Sequence, residues 1–218
     1  MPRQGLLEFV AAKILDLHST SAVRVAVDGV DGAGKTTFAD EMASILSPFG
    51  RQVIRASVDS FHNPRAVRYR LGRSSPLGFF SDSYDYGKLA SLLLNPLGPG
   101  GNLRYRRAAF DVRTDSIFTA PEEQAEPDSI LIFDGIFLHR PALRPYWDFS
   151  IFLEVDVTIS IPRGAARGEG SPDPCAESNR RYVEGQKIYL SECEPARAAT
   201  VVIDNNDLER PFIVPFSR

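Results

Sequence analysis

Apolar residues recur along the chain with two different periods. From residue 6 to residue 17 they recur at helical spacing, which predicts an amphipathic helix. Short apolar runs rich in β-branched residues predict five strands, at 23–27, 53–58, 130–133, 149–155 and 199–203. Because helical segments such as 38–46 separate these runs, we predict an α/β fold with a doubly wound, mainly parallel five-stranded sheet and helices on both faces.

The length and composition of the chain favour a single domain. With 218 residues, of which 43% are hydrophobic, the chain can bury one sizeable core, so we expect one domain over residues 1–218. Within the segment at about 60–128, residues 61–102 are rich in Gly, Pro, Ser, Arg and aromatic residues. We interpret it as an ordered insert that forms a substrate site around one helix near 88–94.

Charge and cysteine content exclude several classes of protein. The net charge is only -3 and the charges are mixed along the chain, so no basic block predicts a nucleic-acid partner. No apolar run is long enough for a membrane span, and we expect a soluble, cytoplasmic protein. The two cysteines predict neither a disulfide framework nor a zinc site. Composition leaves the oligomeric state open.

A glycine-rich loop follows the first predicted strand. Residues 29–36 read GVDGAGKT, with two glycines five positions apart before Lys35 and Thr36, and a helix is predicted next. In this setting backbone N–H groups can surround phosphate oxygens, Lys35 can neutralise the outer phosphates, and Thr36 can ligate Mg²⁺. The alternative is a purely structural turn. The candidate ATP-binding residues are Gly29, Asp31, Gly32, Ala33, Gly34, Lys35, Thr36 and Thr37.

Two carboxylates stand at the ends of predicted strands. Asp59 ends the second strand, where the crevice of an open parallel sheet binds ligands. It could take a proton from an attacking hydroxyl, and it could also touch Mg²⁺ through water. Asp134 ends the third strand and is a second candidate metal ligand. A solvated cap at Asp59, or a plain Asp-Gly turn at Asp134, are the structural alternatives.

Two arginines are candidates for stabilising charge on a migrating phosphoryl group. Arg163 and Arg167 lie four residues apart and can share one helix face. Glycines at 164, 168 and 170 would leave a segment at about 160–180 mobile enough to act as a lid. Solvated surface arginines are the alternative interpretation.

Five segments together resemble the uridine kinase and phosphoribulokinase family of P-loop kinases. They read VDGVDGAGKTTFADEMA, SVDSFHNP, LIFDGIFL, WDFSIFLEV and RYVEGQKIYL, and their order is similar to that of the family. The resemblance implies a P-loop NTPase fold, ATP with Mg²⁺ as cofactors, Asp59 as catalytic base, and an arginine-bearing lid in the C-terminal half. It covers most of the chain.

The segments that would bind the acceptor substrate depart from the pattern of uridine kinases. Tyr105 is not followed shortly by a histidine, and no Asp-His-Pro run follows Asp59. Polar and aromatic residues still predict a substrate pocket, although each could equally stabilise only the loop in which it lies. The candidates are His62, Asp82, Tyr84, Tyr105, Asp111 and Arg113.

These features predict an ATP-dependent kinase for a small-molecule hydroxyl, nominally uridine or cytidine. Pantothenate, another riboside or a phosphorylated sugar are alternatives, and Arg65, Arg68, Arg70 and Arg73 could bind the phosphate of a sugar. A nucleotide-dependent switch protein without a second substrate is the alternative from another class. The choice between ATP and GTP is open.

Overall fold

The structure is a computed structural model that describes residues 2–168 and 170–215. Its strands are β1 (Val23–Gly29), β2 (Val53–Ser57), β3 (Arg104–Tyr105), β4 (Phe110–Asp111), β5 (Ser116–Ile117), β6 (Glu123–Gln124), β7 (Ile130–Gly135), β8 (Phe149–Glu154), β9 (Val201–Asp204) and β10 (Phe212–Ile213). Its helices are α1 (Arg3–Leu15), α2 (Lys35–Leu46), α3 (Arg65–Arg68), α4 (Pro76–Asp82), α5 (Tyr86–Leu89), α6 (Val157–Ala165), α7 (Glu177–Cys193) and α8 (Pro195–Ala198). A π-helical stretch, Ala90–Leu94, follows α5 directly.

Six strands form the central sheet, in the order β10-β9-β8-β1-β7-β2. The five predicted strands are confirmed, and all pairs among them are parallel. The sixth strand, β10, pairs antiparallel with β9 at one edge. A strand of two residues is too short for an alternating pattern to reveal, so the sequence did not predict it.

Strand β1 lies between β7 and β8 and is buried along its whole length. Its side chains alternate between two hydrophobic clusters, with Val25 on one face of the sheet and Ala26 on the other. Helices α1 and α2 bury their apolar residues in the cluster that contains Val25. Helices α4 and α7 contribute to the cluster that contains Ala26, on the second face. Helices therefore cover both faces, as predicted, and β1 delivers the loop after it to the middle of the sheet.

The segment after β2 forms a compact substructure over the second face. It contains the predicted helix, which extends over α5 and the π-helical stretch, and also α3 and α4. Two small antiparallel ladders, β3 with β6 and β4 with β5, complete it. Ala109 N donates to Ser60 O at 2.9 Å, which brings the second ladder beside the residues that follow β2.

The longest described helix, α7, has 17 residues and buries polar side chains, among them Asn179, Arg181 and Gln186. It packs against α4 through Gly185. Among residues 2–168 and 170–215, no helix combines the length and the apolar character that a membrane crossing requires.

We predict that Gly185→Ala destabilises the protein by up to about 2 kcal/mol, because the added methyl group overpacks the core at a cost of about 1–3 kcal/mol. An added Cβ would lie 2.7 Å from the Phe79 ring and 2.9 Å from Pro76 O, so α4 and α7 would have to separate. This outweighs the gain of about 1 kcal/mol in helix propensity. Urea unfolding measures the change. The exposed α7 residue Ser191 provides the control: Ser191→Ala should change stability by less than about 0.5 kcal/mol.

Candidate active site

The glycine-rich loop leaves the carboxyl end of β1 and enters α2. Gly32 and Gly34 have φ values of +73° and +87°, in the left-handed region. A Cβ on Gly32 would lie only 2.0 Å from the carbonyl oxygen of Ser160 in α6. Glycine is therefore required at residue 32 for two reasons, backbone conformation and space. The loop also touches the helix that begins the predicted lid.

Two amide side chains from distant parts of the chain hold this loop. Asp31 N donates to Gln186 Oε1 at 2.7 Å, and Gln186 Nε2 donates back to Asp31 Oδ2 at 3.1 Å. On the other flank, Asn205 Nδ2 donates to Ala33 O at 2.8 Å. The curvature of the loop therefore depends on tertiary contacts as well as on its glycines.

The cationic and hydroxyl groups of the motif lie at the start of α2. Lys35 Nζ donates to Val30 O at 2.8 Å, which folds the side chain back over the loop. Thr36 Oγ1 donates to Asp134 Oδ2 at 2.8 Å, and Arg55 Nη2 donates to Asp134 Oδ1 at 3.1 Å. The hydroxyl oxygen of Thr36 and the carboxylate oxygens of Asp134 are ligands of the kind that Mg²⁺ prefers when it is also bound to phosphate oxygens. The predicted metal residues Thr36 and Asp134 thus lie together.

Asp59 lies in a turn of 3₁₀ helix, Val58–Phe61, directly after β2. The Tyr84 hydroxyl donates to Asp59 Oδ1 at 3.2 Å. Burial, together with the negative charge of Asp59, raises the pKa of Tyr84 well above its usual value, so the phenol stays protonated and remains a donor. His62 Nδ1 donates to Asp59 O at 2.8 Å, and burial lowers the His62 pKa, which favours a neutral ring. Asp59, His62 and Tyr84 therefore form one group.

A cavity of about 430 Å³ opens beside this group. Its walls come from the glycine-rich loop, α4, the residue after β7, the lid segment and α7. The residues around it are mainly apolar or aromatic, and its lining includes Asp31, Phe79, Tyr84, Ile136, Ile161 and Tyr182. The described residues that line it include no lysine or arginine. A planar, uncharged molecule suits such a lining.

A second cavity, of about 440 Å³, also borders the loop. Gly32, Gly34 and Thr37 line it together with the predicted lid arginines, Arg163 and Arg167. Arg163 donates to the carbonyl oxygens of Asn205 and Asn206 at 3.0 and 2.5 Å. The glycine-rich loop therefore contributes to two cavities, which together provide space for two small molecules.

Apart from Tyr84, the predicted substrate residues do not line the cavity of about 430 Å³. Asp82 is buried and accepts from Arg70 at 3.3 Å, and the Tyr105 hydroxyl donates to Glu123 at 3.4 Å. Asp111 accepts from the backbone N–H of Arg113, a bond that lowers the Asp111 pKa. Arg113 itself is exposed. A substrate role for these four residues stays a prediction.

The family model for the phosphoribulokinase / uridine kinase family matches residues 24–169 of this chain. The chain belongs to this family. It is accordingly a P-loop kinase, an enzyme that transfers a phosphoryl group to a small-molecule acceptor.

Individual relatives agree with this assignment. A protein of Thermoplasma volcanium named "Probable thymidylate kinase" is 29% identical over 171 residues, which cover 77% of this chain and 83% of the relative. The fold is similar to that of a possible uridine kinase from Bacillus stearothermophilus, with a TM-score of 0.72, 22% identity and 91% and 97% of the two chains covered. It is also similar to that of D-glycerate 3-kinase from Cryptococcus neoformans, with a TM-score of 0.61, 11% identity and 97% and 99% covered.

A buried carboxylate beneath the kinase's glycine-rich loop was not anticipated. Asp28 is fully buried at the end of β1, and its Oδ2 accepts from the His139 backbone N–H at 3.1 Å, from His139 Nδ1 at 2.7 Å and from the Tyr189 hydroxyl. Its Oδ1 accepts from Gly29 N at 2.7 Å. Burial and the charge of Asp28 raise the Tyr189 pKa, which keeps this donor protonated. The network ties α7 and the segment after β7 to the first residue of the loop.

We predict that Gly32→Ala leaves the kinase folded but removes nucleotide binding. The Cβ would collide with Ser160 O, and the loop could keep its shape only by moving away from α6. Thermal unfolding with and without ATP and Mg²⁺ measures this, because a bound ligand raises the unfolding temperature. Gly50→Ala is the matched control: Gly50 has a φ of +78°, but open space surrounds it. That variant should keep the full ligand-induced shift, and a full shift in Gly32→Ala would disprove the prediction.

Proposed function

We propose that this kinase transfers the terminal phosphoryl group of ATP, with Mg²⁺ as cofactor, to a hydroxyl group of an uncharged small metabolite, nominally a nucleoside such as uridine or cytidine. One observation carries the proposal: the carboxylate of Asp59 accepts a hydrogen bond from the Tyr84 hydroxyl at 3.2 Å, and Tyr84 lines a mainly apolar cavity that the glycine-rich loop also borders. This contact supports a site in which Asp59 acts as the base, the cavity holds the acceptor and the loop holds the phosphates.

The nucleotide would be held chiefly by the glycine-rich loop. Backbone N–H groups of residues 29–36 would bind the phosphates, and Lys35 would exchange its bond to Val30 O for the outer phosphates. Thr36 and Asp134 would hold Mg²⁺, which neutralises charge on the phosphate oxygens when bound. Arg163 and Arg167 line the cavity of about 440 Å³, and we propose that they contribute positive charge as the lid closes.

Asp59 would act on the acceptor. The acceptor hydroxyl oxygen forms a bond to the terminal phosphorus, the bond from that phosphorus to the bridging oxygen breaks, and ADP leaves. The hydroxyl proton passes to the Asp59 carboxylate. Tyr84 donates to the same carboxylate, so it would fix the orientation of the carboxylate relative to the acceptor. The apolar walls would limit access of water, which would otherwise compete as acceptor.

Support for an uncharged acceptor comes from the arginines of the insert. A phosphorylated sugar would need free cations for its own phosphate. Arg68 is instead paired with Asp115 at 3.0 Å, and Arg70 with Asp82 at 3.3 Å. Arg65 also approaches Asp115, at 3.9 Å, and Arg73 lies over the Tyr69 ring at 5.7 Å. These pairs favour a neutral acceptor, and Phe79 and Tyr182 at the cavity offer faces on which a planar base could pack.

We predict that a neutral ribonucleoside stimulates ADP release from ATP and Mg²⁺, because the cavity beside Asp59 suits an uncharged planar compound. The measurement is coupled ADP release with uridine, cytidine, pantothenate and ribulose 5-phosphate as acceptors. Lys35→Ala is the control for contaminating kinases and should show no stimulation. Stimulation by the phosphorylated sugar alone would refute the neutral acceptor while leaving the kinase reaction intact.

We further predict that Asp59→Asn binds ATP as the wild type does but turns over about 10²–10⁴-fold more slowly, since the amide cannot accept the proton. Single-turnover transfer to the best acceptor measures the loss. Asp16→Asn, the same change at an exposed residue after α1, should retain wild-type rates. Turnover of Asp59→Asn within threefold of the wild type would rule out Asp59 as the base.

A further inference from the structure

One fully buried residue, Asn205, connects four parts of the molecule around the glycine-rich loop through its side chain and its backbone. Asn205 follows β9, and its Nδ2 donates to Ala33 O at 2.8 Å while its Oδ1 accepts from Arg3 Nη1 at 3.1 Å. Its backbone N–H donates to Glu154 O at 2.9 Å, and its backbone carbonyl accepts from Arg163 Nη1 at 3.0 Å. The glycine-rich loop, α1, β8 and α6 therefore meet at this residue.

The bond to Ala33 fixes the direction of one peptide group. The carbonyl of Ala33 and the N–H of Gly34 belong to the same peptide, and the described chain contains no cis peptide bond. In a trans peptide the two bonds point in opposite directions. Because the Ala33 carbonyl points toward Asn205, the Gly34 N–H points away from Asn205, to the opposite side of the loop.

We infer that Asn205 is a positioning residue that aims the Gly34 N–H at the phosphates of the nucleotide. This rests on the proposed nucleotide role of the loop. Gly34 has a φ of +87° and no Cβ, so its own backbone resists rotation of that peptide only weakly. The amide of Asn205 supplies the missing constraint from outside the loop.

Packing alone does not require an asparagine at this position. A Cβ on Gly34 would lie 3.3 Å from Asn205 Nδ2, so the side chain already contacts the loop closely. An apolar side chain of similar size could fill the space, but it could not donate to Ala33 O and accept from Arg3 at the same time. A buried amide whose donor and acceptor are both used indicates a directional role.

The experiment compares the wild type with Asn205→Ala, using inorganic tripolyphosphate as the probe because it has the phosphates but no base. Titration calorimetry should show at least a tenfold weaker affinity in the variant. The peptide itself can be observed, because Ala33-Gly34 is the one Ala-Gly pair in the sequence. Carbonyl-¹³C alanine with ¹⁵N glycine therefore gives one correlated NMR signal. Tripolyphosphate should shift this signal in the wild type and leave it nearly unchanged in the variant.

The controls separate positioning from a loss of stability. Asn102→Ala makes the same substitution at an exposed loop amide and should bind tripolyphosphate as the wild type does. If Asn205→Ala does not fold, Asn205→Ser keeps a polar atom in the buried site but is too short to reach Ala33, and it should give the same results. Unchanged affinity, or an equal NMR shift in variant and wild type, would overturn the inference. If the wild type binds neither tripolyphosphate nor ATP, the proposed nucleotide role fails instead.

Discussion

The turn between β1 and α2 passes so close to α6 that residue 32 can carry no side chain. At Gly32 a Cβ would overlap the carbonyl oxygen of Ser160 in α6. The position of α6, and of the arginines near its end, is therefore tied to the shape of the loop. Asn205, directly after β9, and Gln186 in α7 support the same loop. The sheet, α6 and the C-terminal half of the chain are thus all organised around one short turn.

The acidic residues around this loop are held by a different set of donors in each case. Asp28 is buried, and backbone N–H groups, an imidazole and a phenol surround it. Asp134 is buried beside Arg55 and Thr36, which suits a carboxylate that shares a cation with phosphates. Asp59 is exposed and has one hydroxyl partner. Among these three carboxylates, Asp59 is the one that is exposed, and its hydrogen-bond partner Tyr84 lines the cavity of about 430 Å³.

The sequence predicted the features whose causes are local. Apolar runs revealed the five parallel strands, and the spacing of Gly29, Gly34 and Lys35 revealed the phosphate loop, because both depend on neighbouring residues alone. The supports of the loop could not be predicted, since Gln186 and Asn205 lie 155 and 172 residues from their partners. The polar run at 204–207, directly after the last predicted strand, was the available signal. In the insert, the ion pairs of Arg68 and Arg70 likewise depend on tertiary contacts, so composition alone left a phosphate-binding cluster open.

The most direct test of the central claim follows the terminal phosphate itself. The kinase is incubated with Mg²⁺, ATP labelled with ³²P at the terminal phosphorus, and a mixture of neutral ribonucleosides, and the labelled products are separated and identified by mass spectrometry. We predict that the label appears in a phosphate ester of one nucleoside, and that it is lost from that product when Asp59 is replaced by Asn. Label found in inorganic phosphate alone, at a rate that no nucleoside changes, would contradict transfer to the hydroxyl of a nucleoside.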